Sequence, residues 1–190
     1  NIPTFIQDRN SPVSDIDDHI MYLLEATTDP SLLRSENQYT SEVYDSEGVP
    51  LDDILEDYWK YETPGKLIVL KEMIMESMEQ DPPEKLLIWC SFRKTIEKVQ
   101  QIVQDLGYNA DIIYGKIPQS EEDDPTNNKE KTINDFKTKN DHNILIANPA
   151  SLSESVSLHK ECHHAIYVDR MFNGANWIQS KFRIWRYRLD

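Results

Sequence analysis

The chain of 190 residues has little cysteine and no long apolar run. Its two cysteines, Cys90 and Cys162, cannot form a disulfide framework, which favours a reducing, cytoplasmic compartment. No apolar segment approaches the roughly 20 residues that a membrane-spanning helix needs, and the mean hydropathy is −0.65. These absences exclude a transmembrane protein and predict no membrane partner.

Positive charge is also scarce. Lys and Arg number 20 against 34 Asp and Glu, so the formal net charge is −14 and the pI is near 4.7. Because neutralisation of phosphates by Lys and Arg dominates affinity for nucleic acids, this balance argues against a broad basic face. Any nucleic-acid contact must be local, or shared with parts outside the chain.

The first 63 residues are rich in Asp, Glu, Ser and Asn and contain two stretches with helical periodicity, at Ser14–Ala26 and Leu51–Tyr61. Thr63-Pro64-Gly65 is a strong break. We therefore predict a helical, acidic connecting extension over residues 1–63 and a second domain over residues 64–190. The abrupt start and end of the sequence indicate a piece of a longer protein.

After Gly65, short apolar runs alternate with longer segments of helical period, which is typical of βα units on a parallel sheet. The acidic stretch between residues 115 and 128 has the composition of a solvated insertion. The predicted strands are Lys85–Cys90, Ala110–Tyr114, Asn143–Ala147 and Ala165–Asp169, and the predicted helices are Leu67–Met78, Thr95–Leu106 and Lys129–Lys139.

Ligands of parallel α/β sheets sit outside the carboxyl ends of the strands. Ser91, Arg93 and Lys94 follow the first predicted strand, and a hydroxyl with two cations at a helix N-terminus could meet a phosphate. The same residues also suit an ordinary N-cap region with exposed cations. A turn of small residues from Asn148 to Ser155 follows the third strand, where backbone can approach a ligand closely.

Gln179, Arg183 and Arg186 lie at spacings i, i+4 and i+7, so they share one face if the segment is helical. A glutamine with two guanidinium groups suits phosphate oxygens. The alternative is a basic helical end whose apolar residues pack inward, namely Trp177, Ile184 and Trp185.

A cluster of histidines with one cysteine invites a zinc interpretation, but no second ligand pair stands at a compatible spacing. We therefore predict no metal site from these residues, which are His159, Cys162, His163 and His164.

Taken together, these segments resemble the second RecA-like lobe of a Swi/Snf-like superfamily-two helicase or translocase, of bacterial or phage type. The resemblance covers most of the chain, and the order of its pieces is more specific than any one piece. The segments that carry it are Leu24–Leu33, Tyr61–Ile74, the motif IV-like KLLIWCSF, the motif V-like Ile144–Arg170 and the motif VI-like Asn173–Arg186.

The resemblance implies an α/β fold, with a RecA-like parallel sheet sandwiched by helices, in one lobe of an ATP-driven motor. Arg183 and Arg186 match the motif VI arginines, with Arg186 the better candidate for the arginine finger, and Gln179 matches the leading glutamine. Glu154 matches motif V, which couples the nucleic acid to the ATP site. The residues implied to contact DNA are Ser91, Arg93, Lys94 and Ser153.

Three positions depart from the family pattern. Ser155 stands where glycine usually follows the motif V acid, and Phe182 stands where an aspartate usually precedes the first motif VI arginine. Where the family commonly has His-Arg-Ile-Gly, this chain has Trp185-Arg186-Tyr187-Arg188.

The chain has no GxxxxGK[ST] loop and no acidic magnesium-binding motif of the first-lobe type, so it lacks a cradle for a triphosphate and its Mg²⁺. We expect ATP and Mg²⁺ to be held mainly by a first lobe outside this sequence. The 190-residue piece alone is expected to be inactive, and its parent to be a DNA-stimulated ATPase.

Two hypotheses follow. The first is the C-terminal motor lobe of an enzyme that moves along double-stranded DNA, with its own first lobe and restriction, defence or repair proteins as partners. The second is a degenerate RecA-like lobe that acts as an acidic protein-interaction module without ATPase activity, which the altered motif VI and the charge of −14 favour.

Overall fold

A computed structural model describes residues 20–33, 44–119, 124, 127–152, 156–171 and 174–185, apart from the side chains of residues 57, 59 and 61. The chain divides into two compact units, residues 1–64 and residues 65–190. Each unit is described separately below.

The first unit is helical. Its described elements are α1, seen over residues 20–26, a 3₁₀ helix at Pro30–Leu33, and α2 at Leu51–Tyr61, which packs against the 3₁₀ helix. A turn precedes α2, in which the Asp45 carboxylate accepts the backbone N–H groups of Glu47 and Val49 at 2.8 and 2.9 Å. Gly48 supplies the positive φ of +81° that this turn requires.

The second unit is built on a four-stranded parallel sheet with the strand order β2-β3-β1-β4. In register, Leu86 of β1 lies opposite Ile144 of β3 and His164 of β4. The strands are β1 at Leu86–Trp89, β2 at Ala110–Ile113, β3 at Ile144–Ala147 and β4 at His164–Tyr167.

The two central strands, β1 and β3, are buried at all four positions, whereas the edge strands are only partly buried. This explains why LLIW and ILIA are continuously apolar, because a central parallel strand is covered on both faces. The predicted strand at residues 165–169 begins and ends too late in the sequence, since pairing with β1 starts at His164 and stops at Tyr167.

Four helices flank the sheet. They are α3 at Gly65–Met78, α4 at Arg93–Asp105, α5 at Lys129–Thr138 and α6 at Gly174–Lys181. The α4 helix buries Ile96, Val99 and Val103 at helical spacing, and Gly107 follows its end with φ +85°. The N-cap of α5 is Asn128, whose side chain accepts the Lys131 N–H at 2.8 Å.

One core cluster covers a face of the sheet, where Trp89 and Leu145 pack with Phe136 of α5. The alternate residues of the central strands, such as Ile88 and Ile146, point to the opposite face and are also fully buried. The predicted fold class, a RecA-like parallel sheet between helices, is therefore confirmed. Among the described residues, no helix is both long enough and apolar enough to span a bilayer.

Candidate functional site

A cavity of about 230 Å³ lies at the carboxyl edge of the sheet, where β1, β3 and β4 end. Parallel strands place the residues that follow them at one edge, so residues distant in sequence meet there. The cavity is lined by Ser91, Asn148, Pro149, Ala150, Tyr167, Asp169, Arg170, Met171, Asn176 and Trp177.

The backbone of Ser91 is held from both sides. Its N–H donates to Oδ1 of Asp169, and its carbonyl oxygen accepts a hydrogen bond of 2.6 Å from Nδ2 of Asn148. Oδ1 of Asn148 in turn accepts the Ala150 N–H at 2.9 Å. These bonds tie together the loops that follow β1, β3 and β4. They also give the Ser91 N–H a carboxylate partner, so this donor is already engaged before any phosphate approaches.

Asp169 is a buried carboxylate, only 6% exposed. Burial raises the pKa of Asp169, and hydrogen bonding from the Ser91 N–H is the largest effect that opposes it, with smaller ones from the Thr95 and Ser91 hydroxyls and the Lys66 charge. Thr95 Oγ1 and Oδ2 of Asp169 are both buried without a hydrogen-bond partner among the described atoms. Oδ2 has almost no exposed surface, so it is enclosed by protein atoms rather than open to the cavity.

Two aromatic rings form a wall of the cavity. Tyr167 stacks on Trp89 with ring centroids 6.3 Å apart, and its hydroxyl lies 2.6 Å from Oγ of Ser180. Two cations approach the Trp177 ring: Nζ of Lys181 at 3.5 Å from the centroid and the Arg170 guanidinium at 5.4 Å. Arg170 and Trp177 line this side of the cavity, and Lys181, which is not among the lining residues, lies over the Trp177 ring.

Arg93 and Lys94 occupy the first turn of α4 and do not line the cavity. Nε of Arg93 lies 2.7 Å from Oε1 of Glu97 in an exposed ion pair, and its guanidinium also covers the Tyr114 ring at 5.5 Å. An exposed ion pair contributes about 0–1 kcal/mol, so a phosphate could displace Glu97 at little cost.

Gln179 and Arg183 do not share one helical face, because the segment is not a continuous helix. The α6 helix ends at Lys181, and the next turns tighten to i+3 hydrogen bonds, including Arg183 N–H to the Ser180 carbonyl. Gln179 is exposed, whereas Arg183 is only 8% exposed. Nη1 of Arg183 donates to the Val156 carbonyl at 3.3 Å, which ties this turn to the segment after β3.

Residues 65–188 match the family described as the helicase conserved C-terminal domain. The match covers more than half of the chain. The chain belongs to this helicase family.

Several solved structures share the fold of this helicase domain. The C-terminal part of the Fun30 ATPase domain aligns with a TM-score of 0.56 and 20% identity over 90% of the chain. The SWI2/SNF2 ATPase core of Sulfolobus solfataricus aligns with a TM-score of 0.58 and 16% identity over 91%. The same core in complex with dsDNA gives a TM-score of 0.50 and 19% identity over 88%.

The chain spans only 56%, 29% and 36% of these three structures, respectively. At such identities the likeness establishes the fold and not the activity. No curated protein matches the sequence.

Three of the predicted functional residues of this helicase domain, Arg186, Ser153 and Glu154, lie outside the described residues. Their roles remain predictions, as do those of Gln179, Arg183 and the residues after β1.

Two residues that depart from the family pattern contact each other on the surface of the helicase domain. Phe182 and Trp185 stack with centroids 6.0 Å apart and are 48% and 59% exposed. Ile178, one turn earlier, is 50% exposed. The alternative prediction that Trp185 packs inward is therefore wrong, although Trp177 and Ile184 are partly buried.

The described residues contain no group of three or more His, Cys, Asp or Glu side chains that could hold a metal ion. Cys162 is buried, and its thiol lies 3.3 Å from the carbonyl oxygens of Lys85 and His164. The cavity also suits a triphosphate with Mg²⁺ poorly, because its one carboxylate is buried and already accepts the Ser91 N–H.

Sequence reasoning did not identify Asp169, Tyr167 or Trp177 as cavity residues. The signal that could have found Asp169 was available, since it directly follows the apolar AIYV run, as Ser91 follows KLLIWC. Trp177 offered no such signal, because a helix folded back over the strand ends brings it to the cavity.

Proposed function

We propose that this helicase domain is the second motor lobe of an ATP-dependent DNA helicase or translocase. The observation that carries the proposal is the family match over residues 65–188. The parallel sheet supports it, since its carboxyl edge gathers the loops of the motif IV-like and motif V-like segments. A solved structure with the same fold is bound to dsDNA.

In this proposal the ATP and its Mg²⁺ sit on a first lobe, and the domain described here contributes charge when the lobes close. Arg186 acts as the arginine finger, neutralising charge that develops on the γ-phosphate during in-line attack by water. Arg183 supports it from motif VI. Its bond to the Val156 carbonyl suits a coupling role, because it links motif VI to the segment next to Glu154.

The proposed nucleic-acid contacts are local, as the net charge of −14 demands. Arg93 and Lys94 lie on the first turn of α4, where a DNA phosphate would meet the positive end of the helix dipole. Ser91 and Ser153 complete this set. The proposed setting is a cytoplasmic restriction, defence or repair system of bacterial or phage type.

The test is ATP hydrolysis by the full-length protein, with and without double-stranded DNA. We expect DNA to raise turnover, and Arg186→Ala to lower it by about 10³ or more, as in arginine-finger systems. Lys160→Ala is the control, because it removes a cation from an exposed turn with no proposed role. The 190-residue chain serves as a blank with negligible turnover.

Full turnover in Arg186→Ala would refute the finger assignment. Failure of the full-length protein to bind both ATP and DNA would refute the motor function.

A second function, an acidic protein-interaction module, is favoured by the exposed pair Phe182–Trp185. These aromatics replace the aspartate and histidine of the family pattern, and an exposed apolar stripe suits a protein partner better than a phosphate. The salt dependence of DNA binding separates the two functions. A steep fall in affinity with salt supports phosphate contacts, whereas no binding at low salt supports the interaction module.

A further inference from the structure

The Arg93 guanidinium contacts side chains from two different elements of the helicase domain. Oε1 of Glu97, one turn later on α4, accepts a hydrogen bond of 2.7 Å from Nε of Arg93. The guanidinium also lies over the ring of Tyr114, which follows β2, with Cζ 5.5 Å from the ring centroid. Arg93 is therefore held both to its own helix and to the end of a strand that comes later in the sequence.

The contact with Glu97 is the exchangeable one. The Arg93 and Glu97 side chains are 54% and 52% exposed, so water and salt screen their attraction and an incoming anion can compete for the guanidinium. A DNA phosphate is a strong competitor, because arginine often binds phosphate oxygens through two parallel N–H bonds. Contact with DNA would therefore replace Glu97 and leave Tyr114 in place.

The backbone on both sides of the Tyr114 ring is fixed. The Ile113 carbonyl, one residue earlier, accepts the Asn148 N–H at 2.9 Å, and the Tyr114 carbonyl accepts the Ile117 N–H at 3.1 Å. Ile113 and Ile117 are both buried in the core. The Tyr114 ring thus belongs to a segment that is anchored to the sheet.

We propose that Tyr114 is a positioning residue for the DNA contact, whose ring holds the Arg93 guanidinium in place while a DNA phosphate displaces Glu97. An unrestrained arginine loses rotamer freedom when it binds, and this cost weakens binding. A guanidinium over an aromatic face is already restrained, so it has less freedom to lose. The positioning role rests on the proposed motor function, because it requires Arg93 to contact DNA.

A purely structural role for the contact between Arg93 and Tyr114 is the main alternative. The α4 helix already buries three apolar side chains completely, so its place on the sheet does not depend on a guanidinium that is half exposed. Those side chains are Ile96, Val99 and Val103. The contact therefore matters more for the orientation of Arg93 than for the packing of α4.

Two substitutions at Tyr114 separate the aromatic face from the hydroxyl. Tyr114→Leu removes the face and keeps an apolar side chain, whereas Tyr114→Phe keeps the face. We expect Tyr114→Leu to weaken binding of a double-stranded DNA fragment to the full-length protein by about three- to tenfold, the cost of ordering one long side chain. Tyr114→Phe should bind like wild type. Tyr108→Leu is the matched control, because Tyr108 is a partly buried tyrosine that precedes β2 at the opposite edge of the sheet.

A double variant separates positioning from packing. If Tyr114 acts through Arg93, Tyr114→Leu should have no further effect on DNA affinity once Arg93 is alanine. Affinities are measured by fluorescence anisotropy at several salt concentrations, and circular dichroism checks that each variant is folded. Arg93→Ala should also lower the magnitude of the salt slope by about one, because one phosphate contact is lost.

Wild-type affinity in Tyr114→Leu overturns the positioning role. An equal loss with and without Arg93 also overturns it, because the ring would then act on the domain and not on the guanidinium. An equal loss in Tyr114→Phe and Tyr114→Leu does the same, since the hydroxyl would then be the functional group. An unchanged salt slope in Arg93→Ala overturns the phosphate contact and the positioning role with it. In all these cases wild type still binds DNA, whereas failure of wild type to bind DNA overturns the motor function as well.

Discussion

Replacing Asn148 by alanine tests whether one amide holds two loops of the cavity together. The Asn148 side chain donates to the Ser91 carbonyl at 2.6 Å and accepts the Ala150 N–H at 2.9 Å. Asn148→Ala removes both bonds and leaves the two backbone groups without these partners. The backbone N–H of Asn148 still donates to the Ile113 carbonyl at 2.9 Å, so the main-chain path after β3 is retained.

The expected cost follows from the two bonds. A neutral hydrogen bond contributes about 0.5–1.5 kcal/mol, so their loss should lower the free energy of unfolding by about 1–3 kcal/mol. Asn148 and Ser91 are half-buried, so water can partly satisfy the released groups and the lower half of this range is favoured. With a urea m-value of roughly 2 kcal/mol/M, the unfolding midpoint should fall by about 0.5–1 M.

The assay is urea unfolding followed by tryptophan fluorescence, which reports on Trp89 and Trp177 of the second unit. Asn140→Ala is the matched control, because Asn140 is exposed and its described hydrogen bond uses its backbone carbonyl. We expect the control to change the midpoint by less than about 0.25 M, since surface substitutions usually cost under about 0.5 kcal/mol and the m-value is roughly 2 kcal/mol/M. Equal midpoints for Asn148→Ala and Asn140→Ala would refute the idea that this amide holds the loops together.

Two further predictions concern titratable groups. The raised pKa of Asp169 means that its contribution to stability is fully present below the unfolded pKa of about 3.9 and is lost as pH rises through the folded pKa. The free energy of unfolding of Asp169→Asn, measured with urea, should therefore rise relative to that of wild type between about pH 4 and pH 7. Glu79→Gln, at an exposed position, is the control. A difference in unfolding free energy between Asp169→Asn and wild type that stays constant over this range would contradict the prediction. Burial raises the pKa of Cys162 to about 11 and that of Cys90 well above its usual value, so neither thiol should react with iodoacetamide at pH 8 until the chain is unfolded. Rapid labelling of the native protein, detected by mass spectrometry, would show that one of these thiols is accessible.

Much of the fold could be predicted because burial on both faces leaves a direct trace in the sequence. Central strands in a parallel sheet are covered on both faces and are therefore apolar at every position. The strands β1 (LLIW) and β3 (ILIA) have this composition. The α4 helix is similarly recognisable from Ile96, Val99 and Val103, with Gly107 after its end. The exact ends were less predictable, since they depend on pairing, as His164 opposite Leu86 illustrates.

The candidate site was predicted only in part. The rule that ligands meet the carboxyl ends of strands pointed to Ser91, which lines the cavity, but its N–H is bonded to Asp169, 78 residues away in sequence. The prediction that Gln179 and Arg183 share one face assumed a continuous helix. The helix ends at Lys181, and that ending turns the Arg183 guanidinium toward the Val156 carbonyl.

The sequence by itself determined the class of the protein: a parallel α/β sheet, the order of its helicase-like segments and a strongly acidic balance that argues against a broad basic face. These properties depend on residue type and local periodicity, which are readable without coordinates. Only the tertiary structure decided which groups meet at the edge of the sheet. Asp169, Asn148 and Trp177 come together because three strand ends and one returning helix converge there.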